Sequence, residues 1–401
     1  MRRVAVTGVG AVSALGVGAE SLWENASAGV CGIRPLVNIT LDRLNVRYGG
    51  QAQAFDAAAH FEPKQIVMMD RAALLGLVAA REAFDQSRPE LEDAYAGGVI
   101  FGAAIGHDTY DEAYRKFYED RQDRLHPLTI PRIMPNGATS HISMAFGLRG
   151  AAFATASACA SSTHAIGLAF HYIRSGQLDL AVTGGTDAPL CVGVLKGWEA
   201  LRVLSRDVCR PFSRDRAGLA VGEGAGVLVL EEWERARARG ADILGEIVGF
   251  GMSADAADLT APDMNGAARA MSQALRDADL APEAVGYINA HGTGTRLNDQ
   301  TEVAAIRKVF GAHADRMAVS STKSMLGHAM CGGGALELIV TLLGLKRGVL
   351  TPTIGFHERD PNCDIDCVPN EARAARVEYA ISNSFAFGGL NAVLAVRAAP
   401  G

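Results

Sequence analysis

The sequence predicts an α/β fold built from two similar halves. Strand-like apolar runs alternate with helix-like patterns through most of the chain, and the style of the first half repeats after a helix-to-strand passage near Gly240. The helix that follows Cys159 ends Tyr172-Ile173-Arg174-Ser175-Gly176 and the one that follows His328 ends Leu345-Lys346-Arg347-Gly348, a faint internal echo. Such alternation implies a largely buried sheet with helices outside it.

In chain order, Val4–Thr7 reads as a buried strand, Arg71–Phe84 as an apolar-faced helix and Gly98–Ala103 as a second strand. Leu180–Asp187 is a strand ending in a glycine turn, and Val227–Glu231 a strand after Gly222-Glu223-Gly224-Ala225-Gly226. The Ala/Arg-rich helix Glu232–Gly240 and the strand Leu244–Gly251 mark the junction, giving an N-terminal half of residues 1–242 and a C-terminal half of 243–401. The second half then offers helix Ala267–Ala278, strand Val285–Asn289, helix Gln300–Phe310, strand Ala318–Ser321 and helix Ala335–Lys346. It closes with strands Tyr379–Ser384 and Asn391–Arg397 around a glycine turn.

Composition excludes several classes. With 49% hydrophobic and 20% charged residues the chain is an ordinary globular one. A net charge of −6 argues against broad nucleic-acid binding. Seven cysteines lack zinc spacing; the lone Cys363-x-x-x-Cys367 pair reads as ordinary thiols in a loop, so no metal is expected. No long apolar signal region and no membrane-length run is present, and the expected compartment is the reducing cytoplasm.

The chemistry gathers at a few residues. Cys159, among small neighbours at the start of a helical pattern, is placed to gain thiolate character from unpaired N–H groups and the helix dipole. His291, in Asn289-Ala290-His291-Gly292-Thr293-Gly294-Thr295, follows a strand; His328 follows Lys323-Ser324-Met325-Leu326-Gly327. Neutral imidazoles there can donate hydrogen bonds to an oxygen that becomes negative. Glu302 is either a helix-dipole partner or a buried partner of Lys323. Ser384-Phe385-Ala386-Phe387-Gly388-Gly389-Leu390-Asn391 reads as a hairpin, or as a loop that aims the Phe387 N–H at an oxyanion. Gly8-Val9-Gly10 lacks the third glycine of a dinucleotide site and reads as a tight strand-to-helix turn. His164, His171, Cys191, Cys209 and Cys331 read as structural.

Taken in order, these motifs, together with Arg210-Pro211-Phe212-Ser213-Arg214-Asp215-Arg216-Ala217-Gly218, resemble an elongating type II β-ketoacyl-acyl carrier protein synthase or a type II polyketide ketosynthase of the thiolase superfamily. The resemblance covers nearly the whole chain. It implies a thiolase-like five-layer αβαβα fold with two pseudo-duplicated halves and mixed sheets, normally dimeric. It implies that Cys159 takes an acyl chain from a carrier-protein thioester and that the N–H groups of Cys159 and Phe387 form the oxyanion hole. His291 and His328 would stabilise the enolate formed as malonyl loses carbon dioxide, Lys323 and Glu302 would be a supporting charged pair, and Thr293 and Thr295 would line the pantetheine channel. No cofactor is implied, because substrates ride on the phosphopantetheine of acyl carrier protein.

Departures from the family pattern are Ala386 between Phe385 and Phe387, Leu390, and Thr109 at a pocket position that is more often aliphatic. They suggest an acyl chain of specialised metabolism, polyene or polar. Lys64, Arg71, Arg202 and Arg206 are candidates for a basic rim facing an acidic carrier protein. Two other readings stand beside this one: a catalytic subunit paired with a cysteine-less chain-length partner, and a non-catalytic carrier-binding scaffold.

Overall fold

Ten consecutive buried residues, Val4–Ser13, form β1 in the computed structural model, which describes residues 1–399. The strand runs well past the expected Thr7 and takes Gly8-Val9-Gly10 into the sheet. The reason is packing. A Cβ on Gly8 would overlap the carbonyl oxygen of Ala83, and one on Gly10 that of Ala79. Both acceptors lie on α1 (Arg71–Ser87), which Asp70 caps by accepting the Ala72 N–H at 3.0 Å. The two glycines let a small-residue helix lie directly on the strand; they form no turn.

The first half continues with β2 (Gly97–Ala103), α2 (His107–Tyr114), β3 (Ala152–Thr155), α3 (Ser161–Arg174), β4 (Leu180–Asp187), α4 (Val192–Leu201) and β5 (Gly224–Glu232). Gly184 and Gly185 lie inside β4 and not in a turn after it. The second half contains β6 (Gly245–Ala254), α5 (Met264–Asp277), β7 (Val285–Asn289), α6 (Arg296–Phe310), β8 (Ala318–Ser320), α7 (Gly333–Arg347), β9 (Tyr379–Ala386) and β10 (Leu390–Ala398).

These strands follow the hydrogen-bonded order β8-β7-β9-β10-β6-β1-β5-β4-β2-β3. Each half therefore repeats one plan, in which its third, second, fourth, fifth and first strands lie side by side. In both halves the second strand pairs parallel with the third and fourth, and the fifth runs antiparallel to the fourth and first. The halves join where Val4–Val6 pairs antiparallel with Gly245–Ile247. α1 covers the outer face of the first half, and α5 with α6 that of the second. Between the sheets lie α3 and α7, each touching strands of both halves. The result is five layers, αβαβα. From Gly333 to Leu345 every residue of α7 is buried, Glu337 and Thr341 included.

All seven cysteines are free, Cys363 and Cys367 included. Among the described residues no helix is long and apolar enough to cross a membrane.

Candidate active site

Cys159 is the middle residue of a 3-10 turn, Ala158–Ala160, just ahead of α3. It is 8% exposed. Burial pushes its thiol up to about 11, against the opposing pull of Lys323 and of the backbone N–H groups of Phe387 and Cys159 itself. The thiolate character expected of a helix start is thus outweighed by desolvation in the resting site.

His291 lies just past the end of β7 and is held from below. Its N–H donates to Glu302 Oε1 at 2.8 Å, the Gly292 N–H donates to Oε2 at 2.7 Å, and Asn383 Nδ2 donates to Oε1 at 3.1 Å. Glu302, on α6, is accordingly a clamp on the histidine loop. It does not pair with Lys323, contrary to the expected charged pair: Lys323 forms its ion pair with Glu337 of α7, both groups being almost wholly buried. Three N–H donors already hold the Glu302 carboxylate, and the ammonium meets the carboxylate that α7 presents.

His328 donates its N–H to the Ala220 carbonyl at 2.7 Å. Its Nδ1 accepts the Met330 N–H at 3.2 Å, which assigns the ring proton to Nε2, an atom with no protein partner. The His291 and His328 rings lie 5.4 Å apart at 81°. One donor atom from each of Cys159, His291 and His328 falls within 4.8 Å of the others. Burial, and then the Lys323 cation, hold both imidazoles well below the ordinary histidine range, so both are neutral at neutral pH.

These groups open on a cavity of about 260 Å³. Thr293, Thr295, Phe385, Ala386 and Phe387 line it. Its mouth carries Leu201, Leu259 and Leu297, each at least 46% exposed. The β9–β10 hairpin pairs Ala386 with Leu390, and the 255–262 segment covers its tip: the Gly388 N–H donates to the Leu259 carbonyl at 2.7 Å. Phe387 stacks on Trp198 of α4 at 5.8 Å.

Two expected residues fall elsewhere. Thr109 does not line this cavity: its N–H and its hydroxyl both donate to Asp70 Oδ2, at 3.0 and 2.7 Å. Arg71 is held inward in a bidentate pair with Glu223, which removes it from a carrier-facing rim. Lys64, Arg202 and Arg206 are exposed, and Arg202 stands between Leu201 and Val203 of the cavity wall in the sequence. Sequence reasoning missed Glu337, Asn383 and Trp198. A legible signal existed for Glu337, a single charge in the apolar run Ala335-Leu336-Glu337-Leu338-Ile339-Val340.

The sequence profile of the Beta-ketoacyl synthase N-terminal domain matches residues 1–236, and that of the C-terminal domain matches 244–357. The chain belongs to the β-ketoacyl synthase family. Over 402 residues it is 46% identical to Nodulation protein E of Rhizobium leguminosarum bv. trifolii, with 99% of each chain covered. It is 41% identical over 406 residues to 3-oxoacyl-(acyl-carrier-protein) synthase 2 of Staphylococcus aureus (strain N315), covering 99% of this chain and 98% of that one. The ishigamide ketosynthase/chain length factor superposes along all of both chains with a TM-score of 0.94 at 36% identity. The protein is therefore a condensing acyltransferase with the ketosynthase fold.

Proposed function

We propose that this synthase joins an acyl chain held on Cys159 to malonyl-acyl carrier protein, giving a 3-ketoacyl carrier protein and carbon dioxide. The observation that carries the reading is the convergence of the Cys159 sulfur and the two neutral imidazoles within 4.8 Å, with the Phe387 N–H directed at the sulfur.

In the first step Cys159 Sγ attacks the acyl thioester carbonyl. The N–H groups of Cys159 and Phe387 receive the oxyanion, and the pantetheine sulfur leaves with the thiol proton. In the second step His328 Nε2–H and the His291 ring donate to the malonyl thioester carbonyl. The bond to the carboxylate breaks, and carbon dioxide leaves as the enolate forms. The enolate carbon attacks the acyl-Cys159 carbonyl, and the sulfur departs and takes up a proton. Neutral donors suit this step, because a positive group would hold the malonate carboxylate in place. The buried Lys323–Glu337 pair adds little net charge beside the enolate. The Thr293 and Thr295 hydroxyls, 3.0 Å apart at the cavity wall, are placed for the pantetheine arm. No cofactor enters this scheme. The residues span both halves, 1–242 and 243–401, and the work is assigned to the cytoplasm.

The partners follow from the surface. Arg202, next to Leu201 of the mouth in the sequence, Arg206 and Lys64 are the exposed carrier-protein contacts in this reading. Tyr110, Tyr114, Phe117, Tyr118, Ile130 and Met144 are all about half exposed or more within one stretch, an apolar band suited to a second subunit. The chain length factor in the structural neighbour favours a second reading, in which that subunit is a cysteine-less partner and not a second copy. The similarity to Nodulation protein E supports an acyl chain of specialised metabolism.

Intact-protein mass spectrometry after incubation with a panel of acyl-carrier proteins tests the proposal. An acyl adduct on wild type and none on Cys159→Ala is expected. An adduct that survives the substitution would remove Cys159 from its role.

A further inference from the structure

Asp187 ends β4, on the half that carries the nucleophile, and is 2% exposed. A carboxylate so deeply buried needs partners. Its Oδ2 accepts the Cys331 N–H at 3.3 Å, the Cys331 thiol and the Ala188 N–H also bond the carboxylate, and Oδ1 faces His107 Nε2 at 3.5 Å.

Cys331 is the middle residue of the 3-10 turn Met330–Gly332, just before α7. Met330 adopts a φ of +45°, a left-handed conformation that disfavours any side chain. The N–H of this strained residue is the one that donates to His328 Nδ1. The same device recurs in the first half, where Ala158 has a φ of +48° in the turn Ala158–Ala160 before α3. There the first helical residue holds the turn: Ser161 Oγ accepts the Ser157 N–H at 2.9 Å and donates to the Ala158 carbonyl at 2.7 Å. The matching first residue of α7 is Gly333, which has no hydroxyl to offer. The anchor comes instead from Asp187, across the interface between the halves.

We propose that Asp187 is a positioning residue for His328. By accepting the Cys331 amide it keeps the Met330–Gly332 turn strained, so that the Met330 N–H fixes the imidazole tautomer whose Nε2–H faces the malonyl carbonyl. The inference rests on the reaction proposed above and assigns Asp187 to its second step alone. Asp187 acts only as an acceptor here, so an amide of the same shape should replace it.

The two half-reactions separate this role from general stabilisation. Acyl loading is read as the Cys159 adduct by mass spectrometry, and decarboxylation as carbon dioxide released from malonyl carrier protein. Asp187→Ala should slow decarboxylation by about 10- to 100-fold, the cost of displacing a reacting group by roughly an ångström. Loading should be at least as fast as in wild type, because the Asp187 charge pushes the Cys159 thiol up and its removal favours thiolate. Asp187→Asn should restore decarboxylation to within about threefold of wild type. Should Asp187→Ala not fold, Asp187→Ser, whose hydroxyl sits on a shorter arm, is read in the same two assays. In 15N-histidine spectra His328 should be the Nε2–H tautomer in wild type and Asp187→Asn, and should lose that preference in the Ala or Ser variant.

Equal slowing of both half-reactions, no slowing of either, or an Asn variant as slow as Ala would overturn the proposal. Failure of wild type itself to load or decarboxylate would instead strike the proposed function.

Discussion

The two halves of this synthase share a scaffold and divide the chemistry. The first strand of each carries a pair of glycines beneath an outer helix: Gly8 and Gly10 face Ala83 and Ala79, and Gly249 and Gly251 face Ala274 and Ala270. The third strand of each leads through a strained 3-10 turn into a buried central helix. At the centres of those turns stand Cys159 and Cys331. Only the first opens on the cavity. In the second half the path from β8 to α7 is longer and inserts Lys323 and His328 ahead of the turn, so the imidazole takes the place at the cavity that the thiol holds in the first half. Fold is thus repeated where backbones must approach, and function is written where one copy of a loop has grown.

The comparison breaks most sharply at the two cysteines. Cys159→Ala should abolish the acyl adduct and lower condensation by more than about a thousandfold. Cys331→Ala should change turnover by less than about threefold: it keeps the backbone amide that Asp187 accepts and removes only the weak hydrogen bonds of the thiol to Ser161 and Asp187. Comparable losses would mean that both turns do chemistry.

The buried ion pair tests what sustains the asymmetric loop. Glu337→Leu leaves the Lys323 ammonium buried without its partner and should cost about 3–5 kcal/mol in urea unfolding. The double variant Lys323→Met/Glu337→Leu should recover much of that stability while remaining poor in condensation. A single variant as stable as wild type would show that the pair carries no structural load.

The shared packing makes a smaller, symmetric prediction. Gly10→Ala and Gly251→Ala each drive a Cβ into a helix carbonyl, of Ala79 and Ala270 respectively. Each should cost about 1–3 kcal/mol, with the two values close together. A cost confined to one half would show that the other can let its helix move away.

The smallest effect concerns the resting thiol. Since burial holds Cys159 up to about 11, its thiolate fraction should rise as pH rises, and iodoacetamide alkylation should quicken by about tenfold per pH unit from neutrality to near 10. A plateau by pH 8 would mean that a partner lowers the thiol in the resting enzyme.

Much of this was legible in the sequence, and its errors are instructive. Val285–Asn289 is a strand between the expected residues because β-branched and aromatic side chains fill a buried run. Gly8-Val9-Gly10 reads as a turn in sequence but lies in a strand, because glycine there signals close approach only once its neighbour is known, and Ala79 and Ala83 lie far along the chain. β3, with only Ala152–Thr155, is too short and too small in side chain to stand out. Cys159, His291 and His328 were recognisable from their glycine-rich settings. The partner of Lys323 was not, because a side chain's nearest counter-charge depends on which helix face turns inward. Thr109 illustrates the same limit: its position in sequence did not reveal that Asp70 would take its hydroxyl.

The most direct test of the site as a whole starts from enzyme already acylated on Cys159 and freed of donor. Mixed with malonyl carrier protein, it should lose the acyl mass while a 3-ketoacyl carrier protein two carbons longer forms, with one carbon dioxide for each acyl group transferred. Retention of the acyl group, or its release as free acid with malonyl carrier protein unchanged, would contradict the account.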